Sequence, residues 1–169
     1  MAKILVYNNS LNTLETYERS LNDSMPYNVG RTLTVSEFKS NSTSNILWTD
    51  RRTMQSWNNF RKFYGMGIFV GFAFKRPWEG GHSNLSQHYA GLAFDVGQNL
   101  SLSGRNNLRL QAVNSGYWRY VEPKIYTPTW VHFDDRWVVS GYPVIKFGSK
   151  STYVLVAQDA LITLGFDTG

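Results

Sequence analysis

Gly80-Gly81-His82-Ser83-Asn84-Leu85-Ser86-Gln87-His88-Tyr89-Ala90-Gly91-Leu92-Ala93-Phe94-Asp95-Val96-Gly97-Gln98 is the stretch from which the rest of the chain is understood. It sets a histidine and a carboxylate, His88 and Asp95, seven residues apart with small and apolar residues between them. Leu92 to Val96 has the composition of a strand on which Ala93 and Asp95 share one face and Leu92, Phe94 and Val96 take the other. The carboxylate therefore lies among small side chains, where something can approach it. Trp130-Val131-His132-Phe133-Asp134 is its natural partner segment, because a further imidazole there completes a His/Asp/His set. As a strand it places Trp130, His132 and Asp134 on one face, with same-face neighbours about 6.5 to 7 Å apart.

All three histidines of the chain fall in these two stretches, alongside Asp95 and Asp134. A single histidine in an apolar setting is more often a hydrogen-bonded core residue than a ligand, so it is the clustering that argues for a metal. Paired histidines one helical turn apart are absent, which makes this a site assembled from strand and loop. With no cysteine in the chain, any metal must sit on nitrogen and oxygen. Two imidazoles and one carboxylate leave a fourth position for water, the arrangement of catalytic zinc, whereas calcium asks for more oxygens. His82 reads as a loop residue, with a ligand or proton-transfer role as the sharper alternative.

Composition bounds the setting. The chain has 169 residues, 42% hydrophobic and only 17% charged, enough for one good core and too apolar for a disordered chain. No apolar run has the length of a membrane span. The net charge of +5 is spread without a basic helix, so nucleic acid is not an expected partner. The N-terminal apolar run, Ile4 to Tyr7, is too short for the core of a secretory signal.

Working outward, Lys3 to Tyr7 reads as a strand and the charged segment Leu14 to Leu21 as a helix. Met25 to Gly30 is a turn, and Leu33 to Phe38 leads into a polar loop. Thr49 or Asp50 caps a helix whose Met54, Trp57, Phe60 and Tyr64 recur at helical spacing and which Gly65 closes. Met66 to Phe74 alternates as a strand and delivers Lys75 and Arg76 at its end. Arg105 to Ser115 reads as a helix ended by Gly116, with Leu108, Leu110, Ala112 and Val113 as its apolar side. Tyr117 to Pro123 is extended, and Thr127-Pro128-Thr129 breaks it. The expected class is α+β, a small antiparallel sheet packed with helices and carrying the zinc site on one face.

The run Ser86-x-His88-x-x-Gly91-x-Ala93-x-Asp95 resembles the signature of the zinc D-alanyl-D-alanine carboxypeptidase family. That family also holds the vancomycin-resistance dipeptidases and the phage L-alanyl-D-glutamate endolysins. The similarity runs from about Leu33 to Arg136 and includes the aromatic strand that ends at His132. It implies one zinc per chain on His88, Asp95 and His132, and hydrolysis of the stem peptide of peptidoglycan by a metal-activated water, as a carboxypeptidase or an endopeptidase. It also implies a cell-wall or extracellular setting, Arg76 and Ser86 as substrate-binding residues, and Arg76 as a group able to stabilise a developing oxyanion.

The chain departs from the family where many relatives carry an acid or histidine shortly before the last zinc histidine. Here those positions are Thr129 and Trp130, neither of which takes a proton from water. Asp134 and Glu122 remain as candidate general bases, and the alternative role of Asp134 is to orient His132. A different function class follows from the same departure: a peptidoglycan-binding module that keeps the fold and has lost turnover. A metal-free aromatic-rich binding domain is the blandest reading.

Residues 141–169 resemble the opening of the helical peptidoglycan-binding repeat, through Pro143, Gly148 and a helix from Ser151 to Leu164. On this reading residues 1–140 form the peptidase domain. Such a helix cannot bury its apolar face alone. It must dock on the main domain, pair with another chain or belong to a longer parent, the last being the expectation.

Overall fold

The computed structural model describes residues 1–168. The first strand, β1 (Ala2–Asn8), turns Ala2, Ile4 and Val6 into the core, as its alternation dictates. After it the Asn8 side chain accepts from the backbone N–H groups of Ser10 and Leu11 and folds the chain back. The returning segment is a strand, β2 (Thr13–Arg19), paired antiparallel with β1 from Asn8↔Thr13 to Ala2↔Arg19. The helix expected over Leu14 to Leu21 is therefore corrected. Thr13, Thr16 and Tyr17 suit a pleated surface, and the open edge of β1 offers a full ladder that an isolated turn of helix cannot match. A third strand, β3 (Ile46–Asp50), joins β1 in parallel, giving the order β2-β1-β3.

Between them α1 (Val35–Lys39) starts at a reciprocal cap. Thr34 accepts from the Glu37 N–H, and the Glu37 carboxylate accepts from the Thr34 N–H. Next comes α2 (Arg51–Tyr64), capped as expected by Asp50, whose carboxylate accepts from the Thr53 N–H at 2.7 Å, and closed by Gly65. Its Met54, Trp57 and Phe60 are fully buried.

The second sheet has the order β4-β5-β7-β6 and is antiparallel throughout, from β4 (Val70–Phe72), β5 (Ala93–Val96), β6 (Tyr120–Val121) and β7 (Val131–Asp134). The strand expected over Met66 to Phe74 shrinks to three residues with a register shift. Beyond it the Phe74 N–H turns to the Phe38 carbonyl at the end of α1, and the Ala73 carbonyl is left pointing elsewhere. Phe94 and Phe133 on the inner face meet Trp57 (ring centres 4.7 Å) and Phe60 (5.3 Å) from α2, and Trp118 stacks on Phe133 at 4.2 Å. Each such buried ring contributes about 2 kcal/mol of apolar burial. The helix α3 (Leu102–Ser115) begins earlier than expected because Ser101 caps it, and it buries Leu108 and Ala112 while Leu110 and Val113 face solvent.

The sheets meet at a seam. Trp48 Nε1 donates to the Tyr89 carbonyl and Thr49 Oγ1 to the Gly91 carbonyl, both at 2.7 Å. Gly91 has φ +67° there, and a Cβ on it would lie 1.9 Å from the Trp48 carbonyl oxygen, so only glycine fits. The last helix, α4 (Thr152–Thr163), docks on this body through Tyr153 and Val156, while Leu161, Ile162 and Leu164 stay exposed. The architecture is mixed α+β, with four α-helices and these two sheets among the described residues. No described helix is long and apolar enough to cross a membrane.

Candidate metal centre

The pairing of β5 with β7 sets Asp95 directly opposite His132. Side chains opposite each other in an antiparallel pair share a face, so the carboxylate and the imidazole meet, and His132 Nδ1 lies 2.8 Å from Asp95 Oδ1. His88 reaches the same point from the loop before β5, its Nε2 3.3 Å from Asp95 Oδ2. The three offer ligand atoms that all lie within 4.8 Å of one another and form a group able to hold a metal ion.

Two features of His88 fit that group. Its Nδ1 lies 2.6 Å from the Ala73 carbonyl, which only accepts, so Nδ1 carries a proton and the neutral ring presents a lone pair at Nε2. Nε2 is buried and has no hydrogen-bond partner among the described residues, although a carboxylate oxygen faces it. Two electron-rich atoms in such an approach require a cation or a proton between them. The Ala73 carbonyl is free for this because the β4 ladder ends before it, and an imidazole oriented through its second nitrogen is the usual support of a metal ligand.

His132 is held on its other side. Its Nε2 lies 3.1 Å from Asp134 Oδ2, and Asp134 is itself gripped by Arg136, whose Nε and Nη2 donate to the two carboxylate oxygens at 2.8 and 2.6 Å. The Arg136 guanidinium lies over the Tyr120 ring, 3.7 Å from its centre. Burial works against charge on Asp95, yet the His88 and His132 imidazoles hold its carboxyl far below the usual carboxylate range. Burial likewise opposes a charged His132, but its hydrogen bonds to Asp134 and Asp95 win and raise its pKa to about 9.

A cavity of about 840 Å³ opens over the group, with His82, Ser86, Gln98, Glu122, Trp130 and Arg136 in its walls beside the three ligand candidates. Comparison with family models, with curated proteins and with solved structures found no match. The chemistry of the centre therefore rests on its own residues.

Among the residues singled out from sequence, His88, Asp95 and His132 converge. Ser86 lines the cavity, and its hydroxyl accepts from the His88 N–H at 3.3 Å. Glu122 lines it too. The Glu122 N–H donates to the His132 carbonyl at 2.9 Å, continuing the β6–β7 register, so its side chain shares the face of His132. Asp134 is fully buried, and both its oxygens are engaged by His132 and Arg136. Arg76 is placed outside the cavity walls, its guanidinium committed to Asp159 of α4 at 2.8 and 2.7 Å. The His82 ring lies tilted against that of His88, centres 4.6 Å apart, and burial first, then the neighbouring His88, lowers its pKa to about 4, so it is neutral at pH 7. Sequence reasoning missed Arg136 and Tyr120. The signal for Arg136 was its place two residues beyond Asp134, where a strand end turns a guanidinium back onto the carboxylate.

Proposed function

We propose that this chain is a zinc-dependent hydrolase of peptidoglycan stem peptides, acting as a D-Ala-D-Ala carboxypeptidase or as a wall endopeptidase. One observation carries the reading: the partnerless His88 Nε2, aimed at Asp95 beside His132 on the floor of an open cavity. Three neutral or anionic protein ligands from imidazole and carboxylate suit zinc with one position open. The peptidoglycan substrate is carried by the resemblance of the Ser86 to Asp95 run.

His88, Asp95 and His132 would hold the zinc, which supplies Lewis acidity toward a scissile carbonyl and toward water. Glu122 is the general base, because it lines the cavity from the position opposite His132, whereas both oxygens of Asp134 are already engaged. It accepts a proton from the attacking water and returns it to the leaving amine. Asp134 orients His132 through Nε2, and Arg136 keeps Asp134 ionised and fixed for that task. Ser86 and Gln98 offer hydroxyl and amide groups at the walls for the peptide main chain.

Elemental analysis of the purified chain beside His132→Ala tests the site. About one zinc per wild-type chain, lost in the variant, supports it. Cleavage of muropeptides by the loaded chain, abolished in Glu122→Gln, then supports the enzyme. The full engagement of Asp134 favours one other reading, a wall-binding module without turnover. That reading gains if the zinc-loaded chain binds muropeptides and never cleaves them.

A further inference from the structure

Gln87 immediately precedes His88, and Trp137 immediately follows Arg136, whose guanidinium grips the carboxylate that orients His132. One buried hydroxyl joins these two neighbours. Tyr153, in the first turn of α4 and 2% exposed, accepts from the Trp137 backbone N–H at 3.1 Å and donates to Gln87 Oε1 at 2.8 Å. The direction of this relay is forced. Gln87 Nε2 donates to the Gly141 carbonyl at 2.9 Å, a group that only accepts, so Oε1 must face Tyr153 and the hydroxyl must give it a proton. Burial pushes the Tyr153 hydroxyl above its ordinary range, which keeps it a donor at any physiological pH.

A parallel contact lies one residue earlier. The Tyr142 hydroxyl donates to the Ser86 carbonyl at 2.7 Å, and its ring packs 4.9 Å from that of Tyr153. The segment that resembles the start of a separate wall-binding unit is thus hydrogen-bonded to the loop that presents His88.

We propose that Tyr153 is a positioning residue of the metal centre. Its hydroxyl ties the segment presenting His88 to the segment presenting His132, and so sets the 5.2 Å separation and 70° angle of the two rings. A metal site works only when its ligands are held within about half an ångström of the required geometry, and His88 stands on a loop that has no strand ladder to hold it. Removing the hydroxyl leaves Oε1 of the buried Gln87 and the partly buried Trp137 N–H without these partners. The two segments then shift to find new ones, and the imidazoles shift with them.

The inference rests on the zinc reading above, and the test separates the two. Tyr153→Phe keeps the ring and deletes the hydroxyl alone. Zinc affinity is measured by competition with a chromophoric chelator, at a temperature where circular dichroism shows stripped wild type and variant fully folded. The dissociation constant is expected to rise about tenfold or more, the effect of losing a supporting partner. The visible absorption of the cobalt(II)-loaded chain, which reports ligand geometry, is expected to move with it. Gln87→Met removes the acceptor at the other end, is expected to give the same rise, and decides the matter if Tyr153→Phe does not fold. A lowered thermal midpoint with wild-type zinc affinity and cobalt spectrum overturns the proposal and leaves Tyr153 a packing residue. A wild-type chain that takes up no zinc overturns the metal reading itself, and the proposal with it.

Discussion

Raising the pH from 6.5 to 9 is expected to destabilise the metal-stripped chain while leaving the zinc-loaded chain nearly unmoved. Without a metal, His132 sits between Asp95 at 2.8 Å and Asp134 at 3.1 Å, and both ring nitrogens serve as donors. Burial disfavours that charge, but the two carboxylates outweigh it and raise the pKa from 6.5 to about 9. The folded chain therefore holds this proton more tightly than the unfolded chain does. The stabilisation is complete below pH 6.5 and is lost as the pH climbs through about 9; at its full size it amounts to about 3 kcal/mol. For a chain of this length each kcal/mol moves the midpoint by about 2 to 4 °C, so the stripped protein should lose about 6 to 12 °C. Metal binding displaces the proton on the nitrogen facing Asp95, which removes this pH dependence from the loaded chain. The same linkage makes zinc affinity rise about tenfold per pH unit over the window. Thermal unfolding by circular dichroism on chelator-stripped and zinc-loaded protein reads the first effect, and calorimetry in buffers of different ionisation enthalpy reads the proton released. A stripped chain whose midpoint stays flat or rises between pH 6.5 and 9 would refute the reasoning.

Glu122→Gln is expected to lower the rate of peptide hydrolysis by about a hundredfold or more while zinc stoichiometry stays at the wild-type value; an unchanged rate removes Glu122 as the base. Asp134→Ala frees His132 Nε2 and should weaken zinc binding by about 10- to 100-fold, read by chelator competition. Gly91→Ala drives a Cβ against the Trp48 carbonyl and should cost about 4 kcal/mol or more, visible as a collapse of the denaturant midpoint. Arg76→Ala should leave zinc affinity untouched and lower stability by about 1 kcal/mol or less, since its partner is Asp159 and the pair is partly exposed.

What could be read from sequence was whatever depends on local period and local caps. The Leu92 to Val96 alternation, the Met54 to Tyr64 spacing with Asp50 before it and Gly65 after it, and the Trp130 to Asp134 face all appear in the structure with small changes of boundary. The helix expected over Leu14 to Leu21 failed because the charges there fit helix and strand alike, and the deciding partner is the open edge of β1. The Thr34 and Glu37 cap was present in the sequence and went unused. Within the centre, the face shared by His132 and Asp134 was legible, but whether Asp134 abstracts a proton or orients a ring depends on Arg136 taking both its oxygens. Placing Glu122 opposite His132 requires the β6–β7 register, which no short window contains. Arg76 stood at a plausible strand end, and only the docking of α4 shows its guanidinium already committed.

The hydrogen bond from Tyr153 to Gln87 spans 66 positions of the chain. During synthesis the ribosome releases His88, Asp95 and His132 before it releases Tyr153, and at about 5 to 20 residues per second the interval is seconds long. For that time the ligand-bearing strands exist without the hydroxyl that links their supports. A nascent chain can pair β5 with β7, yet it cannot complete the scaffold around His88 until α4 has left the exit tunnel and folded back. Completion of that scaffold is thereby timed by translation of α4.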